Sequence, residues 1–292
     1  MPLKLIAADK TDIGKQREQN EDCPYKRIES SETGDRGLFI VADGMGGYHA
    51  GEVASRLAVE TISKVLDNLF KPLPDQITIR LTPPVEQATV KLTPEDIDKD
   101  QGHKTQKLTE TPMLRIVEDQ LINAIKQANK AIISYGERQS SARGLGCTVT
   151  TALLQDDRAY IANVGDSRTY LLRKGELKAL TKDHSLVAKL VEARQIEPEE
   201  VYAHPQRNLI YRSLGAGHKT VEVDVFQEPM QAGDTLLLCS DGLWEMVRDQ
   251  DLKKVLSEES DPQKICNKLI AMANENGGED NITAIVIQIK TY

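Results

Sequence analysis

The sequence predicts an α+β protein in which antiparallel sheets carry helices on their outer faces. Three observations support this. Short, β-branched apolar runs recur along the 292 residues. Most are joined by connections too short for a parallel crossover. Only three long stretches place apolar residues at helical spacing.

The first strand is Leu38–Ala42, an unbroken apolar run that stops at Asp43–Gly44. A helix is expected over Ala50–Phe70, with Val53, Leu57, Ala58, Val65 and Leu69 near one side. A second spans Met113–Arg138, through Leu114, Val117, Leu121, Ile125, Ala128 and Ile132. Thr148–Leu154, Arg158–Val164 and Arg168–Leu172 then follow as strands at hairpin spacing. Thr235–Cys239 is another short strand. The third helix covers Pro262–Asn276, with Asp261 as N-cap and Pro262 at the first helical position. Ile282–Ile289 closes the set as a long, β-branched strand.

Composition narrows the function classes. The chain is 39% hydrophobic and 28% charged, as soluble globular proteins are. Lys+Arg is 37 against 45 Asp+Glu, a formal charge of -8. That argues against a nucleic-acid or anionic-membrane surface, which needs a basic face. No run approaches the roughly 18 apolar residues of a membrane span. The first residues lack the apolar core of a signal peptide, so a cytoplasmic protein is expected. Cys23, Cys147, Cys239 and Cys266 form no C-x-x-C pair and are expected to be reduced thiols. The five scattered histidines leave no zinc spacing with them.

Residues 71–113 differ from the rest. They hold six of the twelve prolines, seven threonines and one glycine. Thr78–Pro83 and Thr89–Pro94 are near-repeats, each alternating apolar and polar residues, and could pair as a β-hairpin. The polar stretch after them suits a mobile loop. The segment is expected to be a surface insertion, with a docking or regulatory element as the alternative.

The chemistry-bearing residues are acidic. Glu21–Asp22, Asp43–Gly44, Asp241–Gly242 and Asp280–Asn281 are the four places, and the last three adjoin strongly apolar strands. Carboxylates at the lip of a buried sheet repel one another and have raised pKa values. A divalent cation relieves both. Oxygen donors without His or Cys indicate Mg²⁺ or Mn²⁺. No EF-hand loop is present.

Nine ordered stretches now resemble the metal-dependent protein phosphatase family, type 2C, in its bacterial serine/threonine form. They are Asp12–Asp22, Val41–Gly47, Ala50–Ser55, Gly144–Thr148, Asn163–Arg168, Leu180–Leu186, His204–Asn208, Ser240–Trp244 and Gly278–Ile282. The resemblance covers nearly the whole chain except residues 71–113. It implies one phosphatase domain over 1–292, a four-layer α/β/β/α sandwich of two antiparallel sheets flanked by antiparallel helix pairs, and a flap at 185–212.

The resemblance also implies a ligand set. Asp43 would bridge two Mn²⁺ or Mg²⁺ ions, Asp241 and Asp280 would complete one site, and Glu21 with the Gly44 carbonyl would serve the other. Asp22 would hold the water around them, and Asp166 a third, weaker ion. Water activated by the paired ions would attack a phosphoserine or phosphothreonine directly, with no phosphoenzyme. Arg17 matches the phosphate-binding arginine. The family's histidine after the glycines is replaced by Tyr48, so the general-acid role would pass to His49 or to water. Asp183–His184 is expected to orient the flap rather than bind metal. Implied partners are phosphoserine and phosphothreonine proteins and a cognate serine/threonine kinase, in signalling by a monomer. A catalytically silent scaffold and a metal sensor are the competing readings.

Overall fold

The computed structural model describes residues 2–46, 50–70, 112–139 and 144–292, with side chains from residue 116 onward in the helix that starts at 112. The expected hairpin within 71–113 lies outside the described residues, as do Tyr48 and His49.

The strands are β1 Leu3–Asp12, β2 Asp22–Glu29, β3 Arg36–Met45, β4 Gly146–Cys147, β5 Val149–Gln155 and β6 Arg158–Val164. They continue as β7 Arg168–Arg173, β8 Glu176–Ala179, β9 Leu214–Gly215, β10 Asp224–Pro229, β11 Thr235–Cys239 and β12 Ile282–Thr291. The helices are α1 Ala50–Val65, α2 Pro112–Arg138, α3 Leu186–Glu192, α4 Asp241–Trp244, α5 Asp249–Glu258 and α6 Pro262–Glu275. The expected helix over 50–70 tightens to a 3₁₀ turn from Leu66.

Two antiparallel sheets form among the described residues. One runs β1-β12-β11-β7-β8; the other runs β10-β6-β5-β3-β4-β9, with β2 also paired to β3. Strand periodicity sends alternate residues to opposite faces. Phe39, Val41 and Ile161 of one sheet meet Leu236, Leu238, Ile285 and Ile287 of the other in the middle layer. Leu38, Ile40 and Ala42 turn outward to α1 and α2. Leu237, Val286 and Ala284 turn outward to α5 and α6. The result is four layers, and the central strands are apolar on both faces. That explains why they appear as unbroken apolar runs in the sequence.

Local signals act where expected. The Asp261 carboxylate accepts from the Gln263 N–H at 2.9 Å, capping α6 with Pro262 behind it. All four cysteines are free thiols; Cys147, Cys239 and Cys266 are buried, and Cys23 is half-buried within β2. Among the described residues no helix is long and apolar enough to cross a membrane.

Register decides where the chemistry gathers. Asp22 stands opposite Asp43, Gly44 opposite Cys147, and Asp12 opposite Ile282. Cys239 stands opposite both Ala284 and Arg168. The ends of β2, β3, β11 and β12 and the β6–β7 turn therefore share one pole of the sandwich.

Phe39 is fully buried in the middle layer. Phe39→Ala should cost about 3–5 kcal/mol in urea unfolding while leaving divalent-cation binding by the folded protein unchanged.

Candidate metal centre

Asp43 lies two residues before the end of β3, with its backbone held on both sides. Thr148 N–H donates to the Asp43 carbonyl at 2.9 Å, and Gly44 N–H donates to the Glu21 carbonyl at 3.1 Å. Gly44 is required sterically, since a Cβ there would stand 2.2 Å from the Gly51 carbonyl oxygen. The Glu21 carboxylate accepts from the N–H groups of Gly51 and Glu52 at the start of α1. That suits a negative charge at a helix N-terminus. Burial pushes Glu21 upward, and these N–H groups pull it back.

Asp241 opens α4 directly after β11, and Asp280 precedes β12. Asp280 accepts from the Asn281 N–H at 2.8 Å and from Arg17 at 2.5 Å. Asn281, which has no local sequence signal beyond adjoining Asp280, ties the N-terminal loop down. Its Nδ2 donates to the carbonyls of Ile13 (3.0 Å) and Gln19 (2.8 Å), and its Oδ1 accepts from the Glu21 N–H at 2.8 Å. The loop that carries Arg17 and Glu21 is thus fixed to the strand behind Asp280.

Ser240 is a second residue that sequence reasoning left without a role. Its hydroxyl donates to Asp22 Oδ2 at 2.7 Å and accepts from the Thr283 N–H at 3.0 Å. This joins β2, β11 and β12 at one atom and leaves the other Asp22 oxygen aimed elsewhere. That oxygen, Asp22 Oδ1, is buried without a hydrogen-bond partner, and so is Asp241 Oδ1. Buried carboxylate oxygens are costly unless something pairs them.

The electrostatics agree. Asp43 and Asp241 keep a partly exposed edge, but their carboxylates lie deep among protein atoms. Burial, then the neighbouring aspartates, pushes both well above the usual carboxylate range. Burial pushes Asp22 up to about 6, against the hydroxyl hydrogen bonds it accepts. Asp166 is pushed up to about 7 by burial and then by Asp183. Among the described residues no three His, Cys, Asp or Glu side chains already close on a common point. The donors share a pole, but repulsion works against closer approach and Arg17 engages Asp280. An all-oxygen set with orphaned oxygens on two members fits a hard divalent cation.

Asp183 and His184 are both engaged elsewhere. Asp183 takes a forked contact from Arg168, at 3.0 Å from Nε and 2.7 Å from Nη2. His184 Nδ1 accepts from the Gly165 N–H at 3.0 Å. Arg207 bridges Glu245 (3.1 Å) and Glu279 (2.8 Å), one turn after Asp241 and one residue before Asp280. It holds the 185–212 segment against the pole. A cavity of about 370 Å³, lined by Arg168, Asp183, Val201 and Tyr202, lies behind that segment rather than at the carboxylates.

Comparison with known proteins gives concordant results. A family model described as "Protein phosphatase 2C" matches residues 14–284. The "Serine/threonine phosphatase stp" of Listeria monocytogenes serotype 4b (strain F2365) is 36% identical over 284 residues, 97% of this chain and 96% of the relative. The crystal structure of the serine/threonine phosphatase Stp1 from Staphylococcus aureus superposes with a TM-score of 0.77 at 32% identity, covering 100% of this chain and 98% of that one. The catalytic domain of the serine/threonine protein phosphatase PstP in complex with two manganese ions gives 0.74 at 31% identity, covering 99% and 100%.

The aspartates make stability depend on pH. Each of Asp22, Asp43, Asp166 and Asp241 titrates higher when folded than when unfolded. Their destabilisation is therefore complete at alkaline pH. It is relieved as pH falls through about 7 and 6, for Asp166 and Asp22, toward the ordinary range near 4. His184, held below its usual range by burial, opposes this below pH about 6.5. The cation-stripped protein should melt higher at pH 6 than at pH 8, and saturating Mn²⁺ should shrink the difference. Equal melting at the two pH values without cation would contradict the repulsion.

Proposed function

The chain belongs to the protein phosphatase 2C family, and from that premise we propose how its acidic pole works. The protein is a metal-dependent serine/threonine phosphoprotein phosphatase. The observation that carries the reading is the pair of orphaned, buried oxygens on Asp22 and Asp241 within an all-oxygen donor set. Asp43, Asp241, Asp280, Glu21 and the Gly44 carbonyl would hold two Mn²⁺ or Mg²⁺ ions, and Asp166 would serve a third, weaker one. When bound, the paired ions supply Lewis acidity and bring the pKa of the attacking water toward neutrality.

The chain's own groups do the rest. The Asp22 oxygen that Ser240 leaves free would accept a hydrogen bond from a water at the pole and orient it. Arg17, half-exposed at the rim, presents a planar guanidinium that spans two phosphate oxygens. Its neighbours Asp280, Asp241 and Asp43 keep it at the cation pole. None of the four cysteines suits a covalent role. Burial pushes Cys23 up to about 11 and Cys266 up to about 12, and lifts Cys147 and Cys239 further. None is a thiolate at neutral pH, which supports direct hydrolysis by water. Residues 185–212 act as the flap that shapes substrate access. The substrates are phosphoserine and phosphothreonine proteins, in cytoplasmic signalling opposite a serine/threonine kinase.

Hydrolysis of p-nitrophenyl phosphate should require Mn²⁺ or Mg²⁺ and cease with EDTA. Asp241→Asn should lower kcat about 100-fold or more, the several kcal/mol that Lewis acidity contributes. Activity indifferent to chelation would refute the mechanism. Absence of turnover on any phosphopeptide with cations bound would favour the silent scaffold.

Arg17→Ala should raise KM for a phosphopeptide about 10- to 100-fold, as loss of a charge-assisted hydrogen bond predicts. Its Mn²⁺ affinity, measured by calorimetry, should not fall.

A further inference from the structure

Asp166 sits in a turn whose backbone is held from two different elements. On one side Trp244 Nε1–H donates to the Asp166 carbonyl at 2.9 Å. Trp244 belongs to α4, the helix that Asp241 opens, so this bond sets Asp166 relative to Asp241. On the other side both polar groups of Gly165 engage His184. Gly165 N–H donates to the imidazole Nδ1 at 3.0 Å, and the His184 N–H donates to the Gly165 carbonyl at 2.9 Å. Gly165 has φ +111°, and a Cβ there would stand 2.4 Å from the Thr148 Cβ. A side chain is therefore excluded at that position.

His184 is 2% exposed and its hydrogen-bond roles can be assigned. Since Nδ1 accepts from Gly165, the ring proton is on Nε2. Nε2–H then donates to Asp224 Oδ2 at 3.1 Å, at the start of β10. The Arg212 Nη1 lies 3.0 Å from Nε2, but both atoms carry hydrogens, so that approach is not a bond in its own right. Arg212 is held by Asp224 Oδ1 at 2.6 Å and Glu222 at 2.8 Å. The His184 carbonyl accepts from the Tyr211 N–H at 2.9 Å, and the two rings lie 5.9 Å apart. The residue thus joins the beginning of the flap, its end, β10 and the Asp166 turn.

We infer that His184 is a positioning residue: through the Gly165 N–H···Nδ1 bond, the flap sets the aim of the Asp166 carboxylate toward a divalent cation. This rests on the phosphatase reading of the pole and on Asp166 as the ligand of the weaker ion. It predicts selectivity. A change at His184 disturbs the ion that depends on Asp166 and spares the pair held by Asp43, Asp241, Asp280 and Glu21. Loss of a partner that orients a ligand typically costs 10- to 100-fold in metal affinity.

The test compares His184→Leu with His184→Asn in the full chain. The two replacements are nearly equal in size, but only Asn offers an acceptor where Nδ1 stood. Mn²⁺ binding is followed by calorimetry, and the Mn²⁺ concentration for half-maximal turnover is followed in parallel. His184→Leu should weaken the weaker Mn²⁺ at least about tenfold and leave the two tight ions within about threefold. His184→Asn should recover most of that loss. Asp166→Asn should reproduce the His184→Leu effect, and the double variant should be no worse than Asp166→Asn alone. If His184→Leu does not fold, Asp224→Ala, which removes the Nε2 partner at a half-exposed position, should move the same ion in the same direction. Equal losses in the Leu and Asn variants would overturn the proposal, as would weakening of all ions together. It would also fall if Asp166→Asn left the weaker ion untouched. A wild type that binds no Mn²⁺ would overturn both this inference and the reading beneath it.

Discussion

Mutual repulsion among buried carboxylates governs this molecule. Asp22, Asp43, Asp166 and Asp241 are brought to one pole by strand register and by the turn after β6, and burial makes each charge expensive. Five strand ends and turns converge there because the sandwich closes there, not because the acidic groups attract each other. The apolar middle layer, with Phe39, Ile161, Leu238 and Ile285 interleaved, supplies the favourable free energy that holds them together. A cation converts the same geometry from a liability into a binding site. Stability and function are therefore opposed in the metal-free protein and aligned in the metal-bound one.

The supporting hydrogen bonds follow from that tension. A carboxylate among like charges turns away unless something fixes it. Ser240 fixes Asp22 by one oxygen, the first turn of α1 fixes Glu21, and the Asn281 backbone fixes Asp280. Ser240 takes one oxygen of Asp22 and leaves the other unpaired, whereas Asp280 has one oxygen on the Asn281 N–H and the other on Arg17. Asn281 also anchors the loop that bears Arg17, so Arg17 and Glu21 share one support with Asp280.

Much of this was legible in the sequence, for definite reasons. Strands buried on both faces produce unbroken apolar runs, so β3, β11 and β12 stood out, and β6 was placed from Arg158 to Val164 as observed. The aspartates at their ends were visible as acidic breaks after apolar runs. Other elements left no such mark. β1 and β2 mix polar and apolar residues because they are only partly covered, with Lys4, Lys10, Lys26 and Arg27 among them. α5 buries only Leu252, Val255 and Leu256 in ten residues, too sparse a pattern to recognise. Ser240 and Asn281 were visible as letters but not as roles, and His184 was expected to orient the flap without its partner being specified. Their partners lie 218, 260 and 19 residues away, and nothing local specifies such pairings.

The same contrast separates the two kinds of ligand support. Asp43, Asp241 and Asp280 lie at or beside strand ends anchored in the apolar middle layer, so their backbone inherits the rigidity of the sheets. Asp166 depends instead on a glycine turn held by Trp244 on one side and His184 on the other, and His184 stands immediately before the 185–212 segment. Arg207 ties that segment back to Glu245 and Glu279, beside Asp241 and Asp280. Movement of the segment away from the pole must therefore break ionic contacts at the rim and strain the Asp166 turn, while the sheet-borne ligands stay in place. The acidic groups of one pole are thus anchored in two ways, some by the sheets and one by a turn tied to the loop beside it.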